Sequence, residues 1–425
     1  MKHVDKTFIR YFFILYYLYM MSVNVILPKK GIWAVLIYGL MFSFLIYATI
    51  VREKYNKKFF YIYFYIIFLF LLILLQSSDY QYSFTNFIKY TAGLLCLPLG
   101  FNILSSLEKF RDFQRTGIYL VLLYLINVLL ANIFHWGDFY GYDVEGGLEI
   151  GNVFADGLYL NVYIITSLFL LLVLFPSKKQ KYTLLPLLAI CAIIVIINMK
   201  RMVILVLAVG LIPYFFLYYL NNGFKTKLAS MQLRYITQFL VLALIVLPLF
   251  YPYIQRSIEK REKTFERARE DISQEGRILE FKYISKEILQ SDNISTLLFG
   301  KETFNLVGTY AGGIFGNRQI HDDYSKLLNG TGVAGVLFWL FIHLHLITWM
   351  IRLKKSAYAK TDQLASILFP LYFSFLIIFG LSMMSGAIGM VISTSFFYAS
   401  LGGMLRYFYN RGISFKQYRN EVSNQ

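Results

Sequence analysis

Long apolar stretches alternate with short polar segments along most of the chain. A helix needs about 20 apolar residues to cross the hydrocarbon core of a bilayer. Stretches of roughly this length predict transmembrane helices near residues 8–27, 31–51, 59–75, 84–104, 116–134, 157–175, 182–199, 202–220, 235–250, 328–350, 364–384 and 388–405. The pattern therefore predicts an all-α, polytopic membrane protein with about twelve transmembrane helices.

One polar segment, residues 251–327, is much longer than the others and contains twelve basic and twelve acidic residues. Its first part, residues 253–271, has the pattern of a charged helix. Residues 276–290 have the pattern of an amphipathic helix. The apolar positions that share one side of this second helix are Ile278, Phe281, Ile284 and Ile288. The segment is either a solvated hairpin on the membrane surface or a lid over a substrate.

These stretches divide the chain into four parts. The predicted parts are helices 1–9 within residues 1–250, a helical loop over 251–327, helices 10–12 within 328–405, and a tail over 406–425. The N-terminal residues resemble a secretory signal, but no cleavage site of small residues follows them. We therefore expect an uncleaved first helix.

Composition excludes a soluble globular protein. The chain is 58% hydrophobic and 15% charged, whereas soluble domains carry about 25% charged residues. Aromatic residues make up 19% of the chain, and Tyr and Trp are typical of the membrane–water interfaces. The two cysteines, Cys96 and Cys191, fall inside apolar stretches, where we expect them to be packing residues.

The net charge of +17 predicts the orientation of the helices rather than a nucleic-acid partner. Short segments on one predicted side hold 24 Lys or Arg residues, and those on the other side hold five. The basic side is cytoplasmic according to the positive-inside rule. Both termini are then cytoplasmic, and the long loop is extracytoplasmic. No basic stripe with interleaved aromatic residues is present, so we expect no nucleic-acid binding.

Arg201 is the first candidate for chemistry. Together with Lys200 it lies between two apolar stretches, in IINMKRMVILVLAVG, on the predicted outer side. An arginine at membrane depth costs roughly 2.5–3.5 kcal/mol on insertion scales, so it usually has a partner or a function. The alternative is that both cations extend to lipid headgroups.

His321 is the second candidate, because carboxylates follow it immediately in HDDYSKLLNGTG. A neutral imidazole can accept a proton from a hydroxyl group, and a neighbouring carboxylate can orient the ring. The alternative is a helix N-terminus, where Asp322 and Asp323 would interact with the helix dipole. Gly330, Gly332 and Gly335 follow, and they permit close helix packing.

No sequence motif for a metal or a cofactor occurs. There is no HExxH, CxxC or phosphate-binding loop. His343 and His345 are two residues apart on a predicted helix and point in different directions, so hydrogen bonds between helices are expected instead of a metal site. The acidic loop around Asp138 and Asp143 is either a cation site or, as we expect, a solvated loop.

The order of these elements resembles the superfamily of O-antigen ligases and Wzy-type polysaccharide polymerases. The resemblance rests on an Arg at an outer helix junction, two further spans, and a long outer loop with GRILEFKYI, LLFGKETFNLVG and HDDYSKLLNGTGVAGVLFWL. It covers about residues 195–350. The sequence departs from the family in having NMKR instead of Ser before the Arg, and His-Asp-Asp instead of His-Asn.

The resemblance implies a glycosyltransferase of GT-C-like architecture in the bacterial cytoplasmic membrane, without metal or cofactor. Its substrates would be undecaprenyl-diphosphate-linked oligosaccharides, as donor and as acceptor, and a chain-length regulator would be a partner alongside membrane lipid. Arg201 and Arg277 would hold the donor diphosphate, and His321 would act on the acceptor hydroxyl. The residues expected to extend the binding surface are Lys200, Arg318, Lys326 and Asp322.

The resemblance leaves the reaction open among related activities. A polymerase joins repeat units into polysaccharide of the capsule or lipopolysaccharide, which is the reading we favour. A ligase transfers finished glycan to another acceptor. A lipid-linked oligosaccharide flippase is a third alternative, although the sequence lacks the repeated halves typical of transporters.

Overall fold

The structure, a computed structural model, is mainly helical. It describes residues 57–134, 138–139, 151–152, 276–304, 310, 320–356, 363–384, 386 and 391–423, together with single residues and short runs within 39–49 and 184–218. The main helices are α1 (Phe60–Gln76), α2 (Tyr80–Ile103), α3 (Leu107–Phe134), α4 (Gly276–Leu289), α5 (Ile294–Phe299), α6 (Asp323–Ser356), α7 (Gln363–Met383) and α8 (Val391–Ser423). A short 3-10 helix, Lys57–Phe59, precedes α1.

Four of the described helical segments are long and apolar enough to cross a membrane. They are Lys57–Gln76, Leu107–Leu130, Asp323–Lys355 and Leu364–Met383. They agree with predicted spans, and the chain is a membrane protein. The predicted spans 8–27, 157–175 and 235–250 lie outside the described residues, and 31–51, 182–199 and 202–220 lie largely outside them.

Helices α2 and α8 are more polar than these four, and they pack against each other in the interior. Their backbones touch, because a Cβ atom at Gly100 would overlap the backbone of Ala399. A Cβ atom at Gly402 would likewise overlap the backbone of Leu97. Small residues at helix contacts permit this approach in membranes. The contact covers polar side chains that would be costly against lipid.

Helix α6 is broken near its start. Gly332 has φ +60°, which is not helical, and atoms of Leu298 and Gly300 lie where its side chain would be. The segment Gly300–Phe304 replaces the hydrogen bonds lost at the break. The Lys301 amide donates to the Asn329 carbonyl at 2.8 Å, and the Thr303 hydroxyl donates to the Gly330 carbonyl at 2.8 Å.

The same segment, 300–304, joins α6 to the turn between α1 and α2. The Ser78 amide and hydroxyl both donate to Glu302, at 2.6 and 2.5 Å. The Asn86 side chain donates to the Phe304 carbonyl at 3.1 Å. We call this end of the bundle the upper end. It holds the α1–α2 turn, the 300–304 segment, and the beginning of α6.

The lower end of the bundle is rich in cations and aromatic rings. Lys58 Nζ lies 3.4 Å from the centre of the Tyr409 ring, and Lys354 Nζ lies 3.9 Å from that of Phe369. The Asn410 amide donates to the Ser105 carbonyl at 2.7 Å. The basic residues of α6 and of the short helix before α1 therefore lie at the same end of the bundle.

Three details differ from the sequence predictions. Helix α4 forms where it was predicted, but Phe281 is 49% exposed and the charged Glu280 is fully buried. Helix α8 continues to Ser423, through most of the predicted tail. Residues 138–139 and 151–152 form a short antiparallel pair of strands, with Asp138 opposite Asn152, in the acidic loop.

Candidate functional site

The candidate site is the upper end of the bundle, where α4 meets the beginning of α6. His321 lies directly before α6, and Glu280 lies on the buried side of α4. Glu280 Oε2 accepts a hydrogen bond from the His321 backbone amide at 3.1 Å, and Oε1 lies 3.4 Å from His321 Nδ1. We call these two residues the His321–Glu280 pair.

Apolar neighbours seal the carboxylate of Glu280 from solvent. The buried side chains in this small cluster are Ile284, Ile288, Tyr310, Ile320 and Leu328. The Tyr310 hydroxyl donates to Glu280 Oε1 at 3.1 Å. Because a buried carboxylate is costly unless donors surround it, these contacts fix the position of Glu280 and therefore the backbone at His321.

The two partners differ sharply in exposure. The Glu280 side chain is 0% exposed, whereas the His321 side chain is 44% exposed. A ring whose Nδ1–H faces the carboxylate has its lone pair on Nε2. This arrangement combines an accessible ring nitrogen with a buried carboxylate beside the other side of the ring.

The first turn of α6 adds two carboxylates and an ammonium group. Asp322 Oδ1 accepts from the Ser325 amide at 2.7 Å, which is an N-terminal cap. Lys326 Nζ lies 3.0 Å from Asp323 Oδ1. Burial raises the pKa of the Asp322 carboxyl above its ordinary value, although the hydrogen bonds from Ser325 and the charge of Lys326 oppose this rise.

The turn after α7 completes this side of the site. Gly386 has φ +82°, and a Cβ atom built there would lie 2.7 Å from the His321 carbonyl oxygen and 3.3 Å from Lys326 Nζ. A backbone without a side chain therefore lies against both residues. His321 and Lys326 are consequently close to the same point of the chain.

Arg277 lies one helical turn before Glu280 on α4. Residues three apart lie on neighbouring turns of the same helix surface. The helix therefore brings the Arg277 position to the side of α4 that meets His321; its side chain lies outside the described atoms. Lys200, Arg201 and Arg318 also lie outside the described residues, so the predicted convergence of Arg201 with His321 stays a prediction.

Asp322 and Asp323 perform the helix-end roles that were the alternative interpretation of the sequence. The carboxylate that lies 3.4 Å from the His321 ring is that of Glu280, which is 41 positions earlier in the chain. The sequence contained one signal for Glu280. A charged residue at position 280 has the spacing of Ile284 and Ile288, and so shares their side of the helix.

The other histidines described lie deeper in the bundle. His343 Nδ1 is 2.9 Å from the Trp339 carbonyl, and Nε2 is 2.9 Å from the Tyr398 hydroxyl. Because the carbonyl can only accept, Nδ1 carries the proton and Tyr398 donates to Nε2. His343 thus joins α6 to α8, as the sequence predicted. Within the described part of the chain, no group of three or more His, Cys, Asp or Glu side chains could hold a metal.

No model of a known protein family matches the chain, and a search of the curated proteins finds no match either. The chemistry of the site therefore has to be argued from its own residues. Those that the structure describes are the exposed His321 ring, the buried Glu280 carboxylate and the Lys326 ammonium group at the upper end.

Proposed function

We propose that the protein is a membrane glycosyltransferase that polymerises undecaprenyl-diphosphate-linked oligosaccharide repeat units. The observation that carries the proposal is the His321–Glu280 pair. A buried carboxylate holds an accessible imidazole beside cationic positions, which suits removal of a proton from a hydroxyl next to a phosphorylated donor. The proposed setting is a bundle of about twelve spans with GT-C-like architecture, and the upper end faces away from the cytoplasm.

The proposed reaction is an inverting substitution. The acceptor hydroxyl oxygen forms a bond to the anomeric carbon of the donor, and the bond from that carbon to the diphosphate breaks. His321 takes the hydroxyl proton, and Glu280 stabilises the resulting imidazolium. The electron pair of the broken bond leaves with the diphosphate, whose growing charge would be stabilised by Arg201 and Arg277.

The pairing of charges at the site supports this division of roles. Lys326 is already paired with Asp323, so it is a weaker candidate for binding a diphosphate than an arginine, which binds phosphate oxygens with two parallel hydrogen bonds. We therefore assign the diphosphate to Arg201 and Arg277. Lys326 and Asp322 would contact the sugars.

A flippase for lipid-linked oligosaccharide is the second candidate, and the break in α6 at Gly332 favours it. Transporters commonly use interrupted helices near their binding sites. A flippase moves its lipid across the membrane without forming a glycosidic bond, however, and it does not need a proton acceptor. The His321–Glu280 pair therefore favours the enzyme.

The experiment uses the protein in proteoliposomes with an undecaprenyl-diphosphate-linked oligosaccharide, and its products are separated by length. His321→Gln should reduce chain formation by roughly 10²–10⁴-fold, because it removes the proton acceptor. Glu280→Gln should cause a smaller loss, since the ring remains but its imidazolium loses the negative charge. Arg201→Lys should also impair turnover.

His345→Gln is the matched control, because His345 is a second histidine on α6 and contacts the Tyr61 ring, 4.6 Å away, far from the upper end. It should polymerise at the wild-type rate. Near-normal chain formation by His321→Gln would refute the proposal. Transfer of a finished glycan to a different acceptor would identify a ligase, and movement of the donor without bond formation would identify a flippase.

A further inference from the structure

The lower end of the bundle holds two cations against the same two aromatic rings. Lys58 Nζ lies 3.4 Å from the centre of the Tyr409 ring and 5.6 Å from that of the Phe101 ring. Arg406 Cζ lies 5.1 Å from the centre of the Phe101 ring and 5.6 Å from that of the Tyr409 ring. The fold therefore brings two positive charges from distant parts of the chain close to one point. We call these two residues the Lys58–Arg406 pair.

The aromatic rings hold these cations but do not cancel their charge. A ring attracts a cation through its quadrupole and carries no net charge of its own. Within the described part of the chain, no carboxylate forms an ion pair with Arg406, and its Nε atom is covered without a hydrogen-bond partner. Two like charges at short range repel each other. An anion that contacts both cations offsets this repulsion.

The charged ends of both side chains can be reached by a ligand. Lys58 is exposed, and Arg406 is half-buried. The two terminal nitrogens of Arg406 make no hydrogen bond within the described part of the chain, and they are not covered as Nε is. An arginine can bind two oxygens of one phosphate group with parallel hydrogen bonds. The pair is thus an open site for a phosphate.

The pair also lies at the level where the apolar spans end. The membrane-spanning segment Lys57–Gln76 begins one residue before Lys58, and Asp323–Lys355 ends at the same end of the bundle. The predicted span 388–405 ends directly before Arg406. Basic and aromatic side chains at the ends of spans lie among the lipid headgroups. The phosphates of the bilayer are therefore the anions nearest to the pair.

We propose that the Lys58–Arg406 pair binds the phosphate group of an anionic phospholipid. The guanidinium group of Arg406 donates to two phosphate oxygens, and the ammonium group of Lys58 contacts the phosphate from the other side. The Phe101 and Tyr409 rings keep both cations in place. This inference goes beyond the proposed function and does not depend on it, because the pair lies at the opposite end of the bundle from His321.

The charge around the pair favours an anionic lipid over a zwitterionic one. Ten Lys or Arg residues and two carboxylates lie in the described segments at this end, which are 57–59, 105–115, 352–355 and 406–411. One of the two carboxylates, Asp112, is paired with Arg115 at 3.0 Å. The choline group of a zwitterionic lipid would add a cation to an end that is already strongly positive. Basic pockets between transmembrane helices bind anionic headgroups for this reason.

A third cation extends the site on the side of α3. Lys109 Nζ donates to the Ser105 hydroxyl at 3.2 Å, and the Ser105 carbonyl accepts from the Asn410 amide at 2.7 Å. Asn410 directly follows Tyr409 in α8. Lys109 therefore adds positive charge at the same part of α8 without contacting the two rings.

The test measures the apparent Tm of the purified full chain in an uncharged detergent at fixed ionic strength. Phosphatidylglycerol or phosphatidylcholine with the same acyl chains is added in increasing amounts. Phosphatidylglycerol should raise the apparent Tm of the wild type to a plateau, and phosphatidylcholine should have a smaller effect. Arg406→Gln should raise the concentration of phosphatidylglycerol that gives half of the shift by about fivefold, because one cation of the pair is lost. Lys58→Gln should have an effect of similar size.

Arg115→Gln is the matched control. Arg115 also belongs to the basic lower end, but it is paired with Asp112 and does not contact the two rings. Its replacement changes the net charge of the protein by the same amount as Arg406→Gln does. The half-saturating concentration of phosphatidylglycerol should therefore stay at the wild-type value. Inorganic phosphate is the second control, and it should leave the apparent Tm unchanged.

The proposal fails if the two lipids stabilise the wild type equally, or if Arg406→Gln and Arg115→Gln weaken the response to phosphatidylglycerol by the same factor. It also fails if inorganic phosphate stabilises the protein as phosphatidylglycerol does, because the ligand would then be a free anion. If Arg406→Gln does not accumulate, Lys58→Gln decides, since Lys58 is exposed and its replacement leaves the packing intact. An unchanged half-saturating concentration in Lys58→Gln would then overturn the proposal.

Discussion

At the residue scale, the burial and hydrogen bonds of Glu280 best explain why His321 has a fixed position. A carboxylate without solvent contact is costly unless it is paired with donors, and Glu280 receives them from Tyr310 and the His321 backbone. Replacing one of these three residues would leave the groups that hydrogen-bond to it without a partner. The arrangement therefore favours a fixed position for His321 over a freely moving exposed histidine.

The burial of the Asp322 carboxyl, also at the residue scale, should make the stability of the protein depend on pH. The pKa of the Asp322 carboxyl is raised in the folded protein. Its contribution to stability is therefore fully present at pH values below the ordinary pKa of aspartate, and it is lost as the pH rises through the raised pKa. Asp322→Asn keeps the cap but does not ionise. Asp322→Asn should be as stable as the wild type at about pH 4 and more stable than the wild type at about pH 8. Apparent Tm measured across this range checks the prediction, and a constant difference would contradict it.

The sequence could identify His321 but not its partner. The sequence indicates His321 as a candidate because carboxylates follow it directly. It indicates Lys326 and Asp322 as binding residues because they lie near His321 in the chain. Glu280 depends on how α4 docks against α6, which places residues 41 positions apart in contact. Periodicity alone predicted that Phe281 lies on the apolar side of α4. The structure buries Glu280 instead, because the tertiary contacts of α4 use the side that contains Ile284 and Ile288.

At the element scale, hydropathy predicted the positions of α1, α3, α6 and α7 because these helices are long and apolar enough to span a membrane. Hydropathy could not predict the break in α6. The glycines at 330 and 332 indicated close packing of helices; Gly332 does lie against Leu298 of α5, whereas Gly330 lies against the irregular segment 300–304. A run of glycines indicates that another segment packs closely against the helix, but it does not identify that segment.

Gly332→Ala tests the break directly. A side chain at φ +60° is strained by about 1–3 kcal/mol, and here it would also overlap the backbone of Leu298. The variant should lower the apparent Tm substantially. Gly39→Ala is the control, since a Cβ atom there would meet nothing within 4 Å. Equal stability of the two variants would show that the helix runs unbroken through residue 332.

At the scale of the whole molecule, the distribution of basic residues predicts the orientation of the helices, which stays a prediction. Within the described helices, Lys58, Lys354 and Arg406 all lie at the lower end. The sequence could not predict which helices are neighbours. The contact between α2 and α8 depends on glycines about 300 positions apart, for which no local pattern exists.

Labelling with a membrane-impermeant maleimide tests the orientation. The native cysteines, Cys96 and Cys191, are buried and should contribute little background. Asp292→Cys, at the upper end, should react in intact cells, whereas Lys57→Cys, at the lower end, should react only after lysis. Both positions are exposed, so accessibility of the side chain is matched. The reverse pattern would invert the proposed topology and move the candidate site to the cytoplasm.

The break at Gly332 also has a consequence for biosynthesis. Residues 333–356 of α6, about 24 residues, can cross a bilayer without the polar turn before them. The segment that holds this turn, residues 300–304, precedes α6 in the chain and, in the proposed orientation, lies on the same far side of the membrane. The segment and the polar turn are then exported as one stretch of chain, so only the apolar half of α6 has to stop in the hydrocarbon.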